Sequence, residues 1–175
     1  MLKASKSNNS DISEKLVHVA RCTKVVKGGR RFSFSVMVAA GDGKGKIGIG
    51  FGKASELADS MEKASRLARV NMIKIPMKDG KTLHHEVCFK FCSARVKLKP
   101  APSGTGIIAG GPLRSILELW GAKDIVAKSI GSTNPHNYTR AAIDGIKTIR
   151  SPRYIAAKRG KKVAEVFTTK KSKRG

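Results

Sequence analysis

Four cations stand within eight positions of this sequence: Lys24, Lys27, Arg30 and Arg31 surround the pair Gly28-Gly29. Ammonium and guanidinium groups around a glycine turn suit phosphate, which they neutralise while the backbone turns tightly beneath them. Lys44, Lys46 and Lys53 form a second, sparser basic set. A third candidate is Pro100-Ala-Pro-Ser-Gly-Thr-Gly-Ile-Ile-Ala-Gly-Gly-Pro112, in which Gly104, Gly106, Gly110 and Gly111 punctuate Ile107-Ile108, with Arg114 just beyond. Glycines at those positions permit sharp turns and close approach to another surface. The two isoleucines offer apolar area to bury there.

Other chemistries find little support. Gly43-Lys-Gly-Lys-Ile-Gly48 matches G-x-G-x-x-G, but it leads into a predicted strand rather than a helix, so turn glycines explain it better than a dinucleotide site. No G-x-x-x-x-G-K-[ST] phosphate loop occurs. His18, His84, His85 and His136 have no Ser or Cys partner at a recognisable nucleophile elbow. Cys88 and Cys92, four apart in a predicted strand, would share a face roughly 13 Å apart, too far for a disulfide or a shared zinc. The odd cysteine count, with Cys22, points to a reducing compartment. Buried thiols and surface imidazoles are expected. No catalytic residue, cofactor or metal site is expected.

The body that must position the basic residues is itself basic. Lys and Arg number 36 against 12 Asp and Glu, a net charge of +24. By region the charge is +1 over 1–13, +8 over 14–76, +7 over 77–150 and +8 over 151–175. Such an excess repels itself unless a polyanion neutralises it. Its spread along the chain favours a protein embedded in nucleic acid over one with a basic appendage. At 175 residues and 40% hydrophobic content, the chain has room for one medium or two small cores. No run of 18 apolar residues occurs, and the polar stretch Met1–Ser13 lacks the apolar centre of a secretory signal.

Leu16–Val26 reads as a strand, and Phe32, Phe34, Val36 and Val38, alternating with smaller or polar residues, predict a half-buried partner. Ile47, Ile49 and Phe51 alternate with Gly48, Gly50 and Gly52, so the third strand has one face without side chains. Such faces admit a helix or backbone closely. Leu57, Met61, Ala64, Ala68 and Met72 predict the apolar stripe of a helix over residues 55–73. Three antiparallel strands and a helix make a first α+β domain. Paired strands over 82–91 and 94–99 follow, then a helix opened by Pro112 and ended at Gly121, a strand over 125–130, and a helix capped at Thr133 or Asn134. Ser151-Pro152 opens a last short helix. The expected units are a tail 1–13, domains 14–77 and 78–157, and a basic tail 158–175, unordered without a polyanion.

Val26-Lys-Gly-Gly-Arg-Arg-Phe-Ser-Phe34, Gly41–Lys53, Gly104-Thr-Gly-Ile-Ile-Ala-Gly-Gly111 with Arg114, Gly131-Ser-Thr-Asn-Pro135 and Ala156-Ala-Lys-Arg-Gly160 together resemble the bacterial-type small-subunit ribosomal protein S-five family, in order, over residues 14 to 167. The resemblance implies an N-terminal domain similar to double-stranded-RNA-binding domains, with a three-stranded sheet and a helix. It also implies a C-terminal α/β domain with a left-handed β-α-β crossover, against the usual handedness. It further implies a structural, non-enzymatic, ribosome-associated protein of the cytoplasm. Such a protein binds small-subunit ribosomal RNA, touches neighbouring small-subunit proteins four and eight, supports assembly and lines the messenger-RNA entry path.

By motif match, Thr23, Lys24, Lys27, Gly28 and Gly29 belong to the family's spectinomycin-sensitivity loop. Gly106 and Arg114 belong to its decoding-accuracy segment at protein four. The expected RNA-binding set is then Lys24, Lys27, Gly28, Gly29, Arg30, Arg31, Lys44, Lys46 and Lys53. The expected protein-interface set is Gly104, Gly106, Ile107, Ile108 and Arg114, the last reaching a carboxylate on the neighbour. Ser103 departs from the acidic residue many family members carry. Duplex-RNA binders place lysines at the start of their last helix, whereas Ser55-Glu-Leu-Ala-Asp59 would repel phosphate. That favours loop contacts over the reading of a free duplex-RNA-binding regulator, and the missing phosphate loop counts against a small nucleotide-dependent enzyme.

Overall fold

The computed structural model describes residues 12–167. Strands β1 (Ser13–Val26), β2 (Gly29–Gly41) and β3 (Lys46–Ala54) form an antiparallel meander, followed by helix α1 (Leu57–Val70) and a two-residue strand, β4 (Ile73–Lys74). β4 was not anticipated; it adds to the outer side of β3 and makes the sheet four-stranded, in the order β1-β2-β3-β4. Strands β5 (Val87–Phe91), β6 (Ala94–Pro100), β7 (Ile107–Ile108) and β8 (Ile125–Ile130) form the second sheet, in the order β5-β6-β8-β7. β7 and β8 run parallel, joined through helix α2 (Gly111–Trp120). Helix α3 (Pro135–Lys147) packs on β5 and β6, and α4 (Pro152–Arg159) and α5 (Val163–Phe167) end the described chain.

The glycine face of β3 does what the alternation predicts. A Cβ at Gly48, Gly50 or Gly52 would overlap the α1 carbonyl oxygens of Ala68, Ala64 and Ser60 respectively. The helix therefore lies directly on strand backbone. The buried stripe of α1 is Ser60, Ala64 and Ala68, while Leu57 and Met61 stay substantially exposed. Ala64 and Ala68 of the predicted stripe are buried and Met72 packs against their cluster, while the close approach to a bare strand seats Ser60 and leaves no room for Leu57 and Met61. β2 also departs from expectation. From Ser35 to Gly41 both of its faces are buried. Val36, Val38 and Ala40 meet α1, while Ala39 joins Ile47 and Ile75 in a second cluster that includes Leu98, Ile116, Trp120 and Ile146. That cluster is continuous across both sheets.

The sheets meet through backbone. Gly43 N–H donates to the Leu119 carbonyl and Gly45 N–H to the Trp120 carbonyl, each at 3.0 Å, and Ile75 N–H donates to the Gly45 carbonyl at 2.9 Å. The last carbonyls of a helix have no intrahelical partner, and the β2–β3 turn supplies donors for two of them. Gly121 ends α2 in the left-handed region (φ +95), where a Cβ would overlap the Gly43 carbonyl. The 43–48 motif is thus a turn and a strand start. Asn134 Oδ1, accepting from His136 N–H at 3.0 Å, caps α3, and Ser151 Oγ caps α4.

The loop that carries Gly104 and Gly106 is held from beneath by Asp124. This carboxylate is buried (5% exposed). One of its oxygens accepts both Gly104 N–H (2.9 Å) and Gly106 N–H (3.0 Å). Both glycines have positive φ, +94 and +74, so the fold of this loop requires them.

Three expectations need correction. All three cysteines are exposed, and Cys92 sits in the β5–β6 turn with φ +52, not in a strand with Cys88. The predicted strand over 82–91 begins only at Val87. The tail expected from Lys158 is partly helical, since α4 runs through Arg159 and α5 follows. The tail predictions for residues 1–11 and 168–175 lie outside the described residues.

Gly50→Ala, forced against the Ala64 carbonyl, will lower stability by about 2 kcal/mol or more. Gly110→Ala, with open space at the Cβ position and φ −63, will change it by less than about 1 kcal/mol. Thermal unfolding followed by circular dichroism separates the two. Asp124→Ala strands two amides of the glycine loop and will cost about 2–4 kcal/mol, read as a lower denaturant midpoint, with a smaller loss in Asp124→Asn.

Candidate nucleic-acid interface

Past Phe34, β2 loses its β3 partner, because the β2–β3 pairing ends at Phe34 and Ala54. β1 and β2 continue as a two-stranded ribbon to the turn at Lys27-Gly28. The ribbon reaches roughly 20 Å beyond the sheet at the usual rise per residue. Every residue from Arg21 to Ser33 is exposed. Gly29, with φ +132, closes the turn in a conformation that side chains rarely adopt.

Register decides how the cations are displayed. Lys24 lies directly opposite Arg31, and Val25 opposite Arg30. Cross-strand partners share a face and neighbours along a strand alternate, so Lys24 and Arg31 occupy one face while Arg30 occupies the other. Lys27 is at the tip. Like charges directly opposite destabilise a ribbon, and among the described residues neither Lys24 nor Arg31 is ion-paired. On the second face, the Arg21 guanidinium lies 3.7 Å from the centroid of the Phe32 ring. This arrangement fixes both side chains by cation–π attraction. Arg21 and Phe32 were not among the expected contact residues; their juxtaposition follows from strand register, not from spacing.

The second basic set does not form one patch. Lys53 is at the ribbon's base, opposite Ser35, with its ammonium 5.4 Å from the Phe51 ring centroid. Lys44 and Lys46 are at the far end of β3, in the turn that docks on α2. There, Asp42 Oδ1 accepts from the backbone N–H groups of both Lys44 and Lys46 at 2.8 Å. Lys46 also lies opposite Lys74 of β4.

The glycine segment presents a different surface. Ile107 is half-buried against the common core, and Ile108 is 55% exposed. A Cβ at Gly104, Gly106, Gly110 or Gly111 would meet nothing within 4 Å. Among the described residues, close approach is therefore not used there. Arg114 Nε, expected to reach outward, donates to Glu118 Oε1 at 2.9 Å, one helical turn on. Glu118 also accepts from Lys15 Nζ of β1 at 2.5 Å. The bonds from Lys15 and then Arg114 hold the Glu118 carboxyl below the usual carboxylate range. On the other side of β1, Glu14 bonds to Ser65 and to Arg69 of α1. Burial alone would raise its pKa, but the Ser65 and Arg69 bonds outweigh that and lower it. Glu14 and Lys15 thus tie one strand to two helices.

Among the described residues, no three His, Cys, Asp or Glu side chains cluster as a metal would require. Among these residues too, no helix is long and apolar enough to cross a membrane. Asp124 is the structural support that spacing did not reveal, whereas Glu118 follows Arg114 at the i,i+4 spacing of a helical ion pair. Asp124 stands 18 and 20 residues from the amides it binds, and no local pattern links positions that far apart.

Comparison with known proteins agrees with this architecture. Residues 12–76 match the ribosomal protein S5 N-terminal domain, and residues 89–159 match the ribosomal protein S5 C-terminal domain. Small ribosomal subunit protein uS5 of Paramagnetospirillum magneticum is 52% identical over 158 residues, covering 90% of this chain and 75% of that protein. The uS5 of Wolbachia pipientis wMel is 51% identical over 159 residues, covering 91% and 94%. The uS5 of Caulobacter vibrioides is 49% identical over 159 residues, covering 91% and 79%. Two domain matches in sequence order, and half-identical relatives along nine-tenths of its length, mean that the chain belongs to the ribosomal protein S5 family.

Proposed function

We propose that this protein is a structural constituent of the small ribosomal subunit, with no catalytic role, working in the cytoplasm. The observation that carries its RNA-binding role is the ribbon, where Lys24 and Arg31 oppose each other on one exposed face and neither is ion-paired among the described residues. A phosphate backbone converts that repulsion into attraction and releases counterions as it binds. Arg30 and Lys27 extend the contact around the tip, Gly28 and Gly29 let the turn approach closely, and Lys53 adds charge at the base. Lys44 and Lys46, at the opposite end of the sheet, would meet a separate stretch of ribosomal RNA.

The finer parts of the reading rest on family membership. They are a double-stranded-RNA-binding-like domain over 14–77, a C-terminal domain over 78–157 with a left-handed β7-α2-β8 crossover, contacts to ribosomal proteins four and eight, and a place on the messenger-RNA entry path. Gly104, Gly106, Ile107, Ile108 and Arg114 would form the contact with protein four. The exposed Ile108 and the open space beside the four glycines support a partner there. Glu118 then acts as the intramolecular anchor of Arg114, and a neighbour's carboxylate would have to compete with it.

Binding to small-subunit ribosomal RNA will fall by several powers of ten over a fourfold salt increase if on the order of eight phosphates are contacted. In the double variant Lys24→Glu/Arg31→Glu the slope of log affinity against log salt will flatten by about 1.5, measured by filter binding. An unchanged slope would remove the ribbon from the RNA interface. Arg114→Ala will raise misreading in a reporter assay at normal subunit levels, because a partly desolvated charge on the partner loses its counterpart; unchanged misreading counts against the accuracy role.

A further inference from the structure

The outer edge of β3 is open for most of its length. β4 pairs with it only at Lys46 and Ile47, and from Ile49 to Ala54 no strand lies on that side among the described residues. The Asn71 side-chain amide donates to the Ile49 carbonyl at 3.2 Å across this edge. In an antiparallel strand backbone groups alternate sides, so the N–H and C=O groups of Phe51 and Lys53 point outward as well. An open edge of this kind is a template for another strand.

Beside the edge lies a cleft of about 500 Å³ between the two domains. Its floor is apolar: Met37, Ile49, Met72, Ile73 and Ile143. Val70, 75% exposed, stands on its rim. The far wall is α3, which brings Arg140 and Lys147, and Lys53 lies over Phe51 at the near end. Against these three cations stands Asp144, 3.3 Å from Lys147. His136 packs its ring on Phe51, with centroids 5.1 Å apart, and its enclosed Nδ1 has no hydrogen-bond partner among the described residues. Burial first, then Arg140 and Lys53, push this imidazole below the ordinary histidine range, and its unpartnered Nδ1 leaves a polar atom for an incoming segment to satisfy.

We propose that an extended, acidic and apolar segment of a neighbouring protein adds to the free edge of β3 and buries alternate side chains in this cleft. Strand addition gives main-chain hydrogen bonds, and alternate side chains entering a groove give selectivity. The aliphatic and methionine floor suits side chains of Ile, Leu or Met, and the cationic rim suits carboxylates. A nucleotide would use the same cations but would leave most of the aliphatic floor without an aromatic partner. The inference rests on the reading of the chain as part of the small subunit.

The test places p-benzoylphenylalanine at Val70, or at Leu67 should the first variant not assemble, in small subunits purified from cells holding no other copy. Val25, at the ribbon tip, is the comparison site. Irradiation at Val70 or Leu67 will yield an adduct to a protein segment containing alternate apolar residues and at least two carboxylates. The yield will fall at least fivefold in the background Arg140→Glu/Lys147→Glu. Amide exchange at Phe51 and Lys53, which needs no substitution at the cleft, will slow at least tenfold in the subunit relative to the free protein. An adduct to RNA, no adduct, a segment without acidic residues, or unprotected amides at Phe51 and Lys53 would overturn the proposal. Failure of Val25 to crosslink RNA would instead count against the ribbon as an RNA contact, leaving the cleft to be judged by its own adducts.

Discussion

Everything else in this molecule depends on how the end of α2 is seated in the β2–β3 turn. A helix leaves its last carbonyls without partners, and burying them unpaired costs about as much as losing the bonds outright. Here, the carbonyls of Leu119 and Trp120 accept from Gly43 and Gly45, so the join between the domains is main chain on main chain. That contact requires glycine on both sides: a Cβ at Gly41 would overlap the Leu119 carbonyl, and one at Gly121 would overlap that of Gly43. Trp120, fully buried beside this join, belongs to the cluster that runs through both sheets. The ribbon at one end of β1–β2 and the glycine loop before α2 are consequently fixed in relation to one another.

Several of the few carboxylates make internal ties. Asp42 shapes the docking turn, Asp124 holds the glycine loop, Glu14 and Glu118 tether β1 to α1 and α2, and Glu86 pairs with Lys97 and Lys99. With only 12 acids against 36 Lys and Arg, Lys24 and Arg31 of the ribbon have no ion pair among the described residues. The excess weakens the isolated protein through self-repulsion, which a polyanion would offset. Family membership and the electrostatics therefore point the same way, by independent routes.

The two candidate surfaces differ in their physics. The ribbon is long, thin and cationic, with Val25, Val26 and Phe32 exposed among its cations, and on a polyanion it would gain from counterion release. The glycine segment is nearly uncharged at its crest, where Ile108 is exposed, and its one cation is already paired with Glu118. A surface of that kind would gain from shape and burial rather than from charge.

Local pattern alone determined a good deal. The alternation of glycine with Ile47, Ile49 and Phe51 specified a strand bare on one face; Pro112 with Gly121, and Asn134 with Pro135, marked helix ends that the fold keeps; and the cation cluster with Gly28-Gly29 marked the ribbon turn. Each is legible because capping, turn geometry and strand alternation act over a few residues. Tertiary structure decided the rest. Both faces of β2 are covered because the second domain docks on the side that alternation left to solvent. Lys44 and Lys46 part from Lys53 because a strand separates its ends by its own length. Asp124 becomes the support of Gly104 and Gly106 because β7 and β8 pair in parallel, which brings a carboxylate after α2 beneath a loop before it. Contacts between residues so far apart in the chain are set by which surfaces bury one another, and no short-range spacing records that.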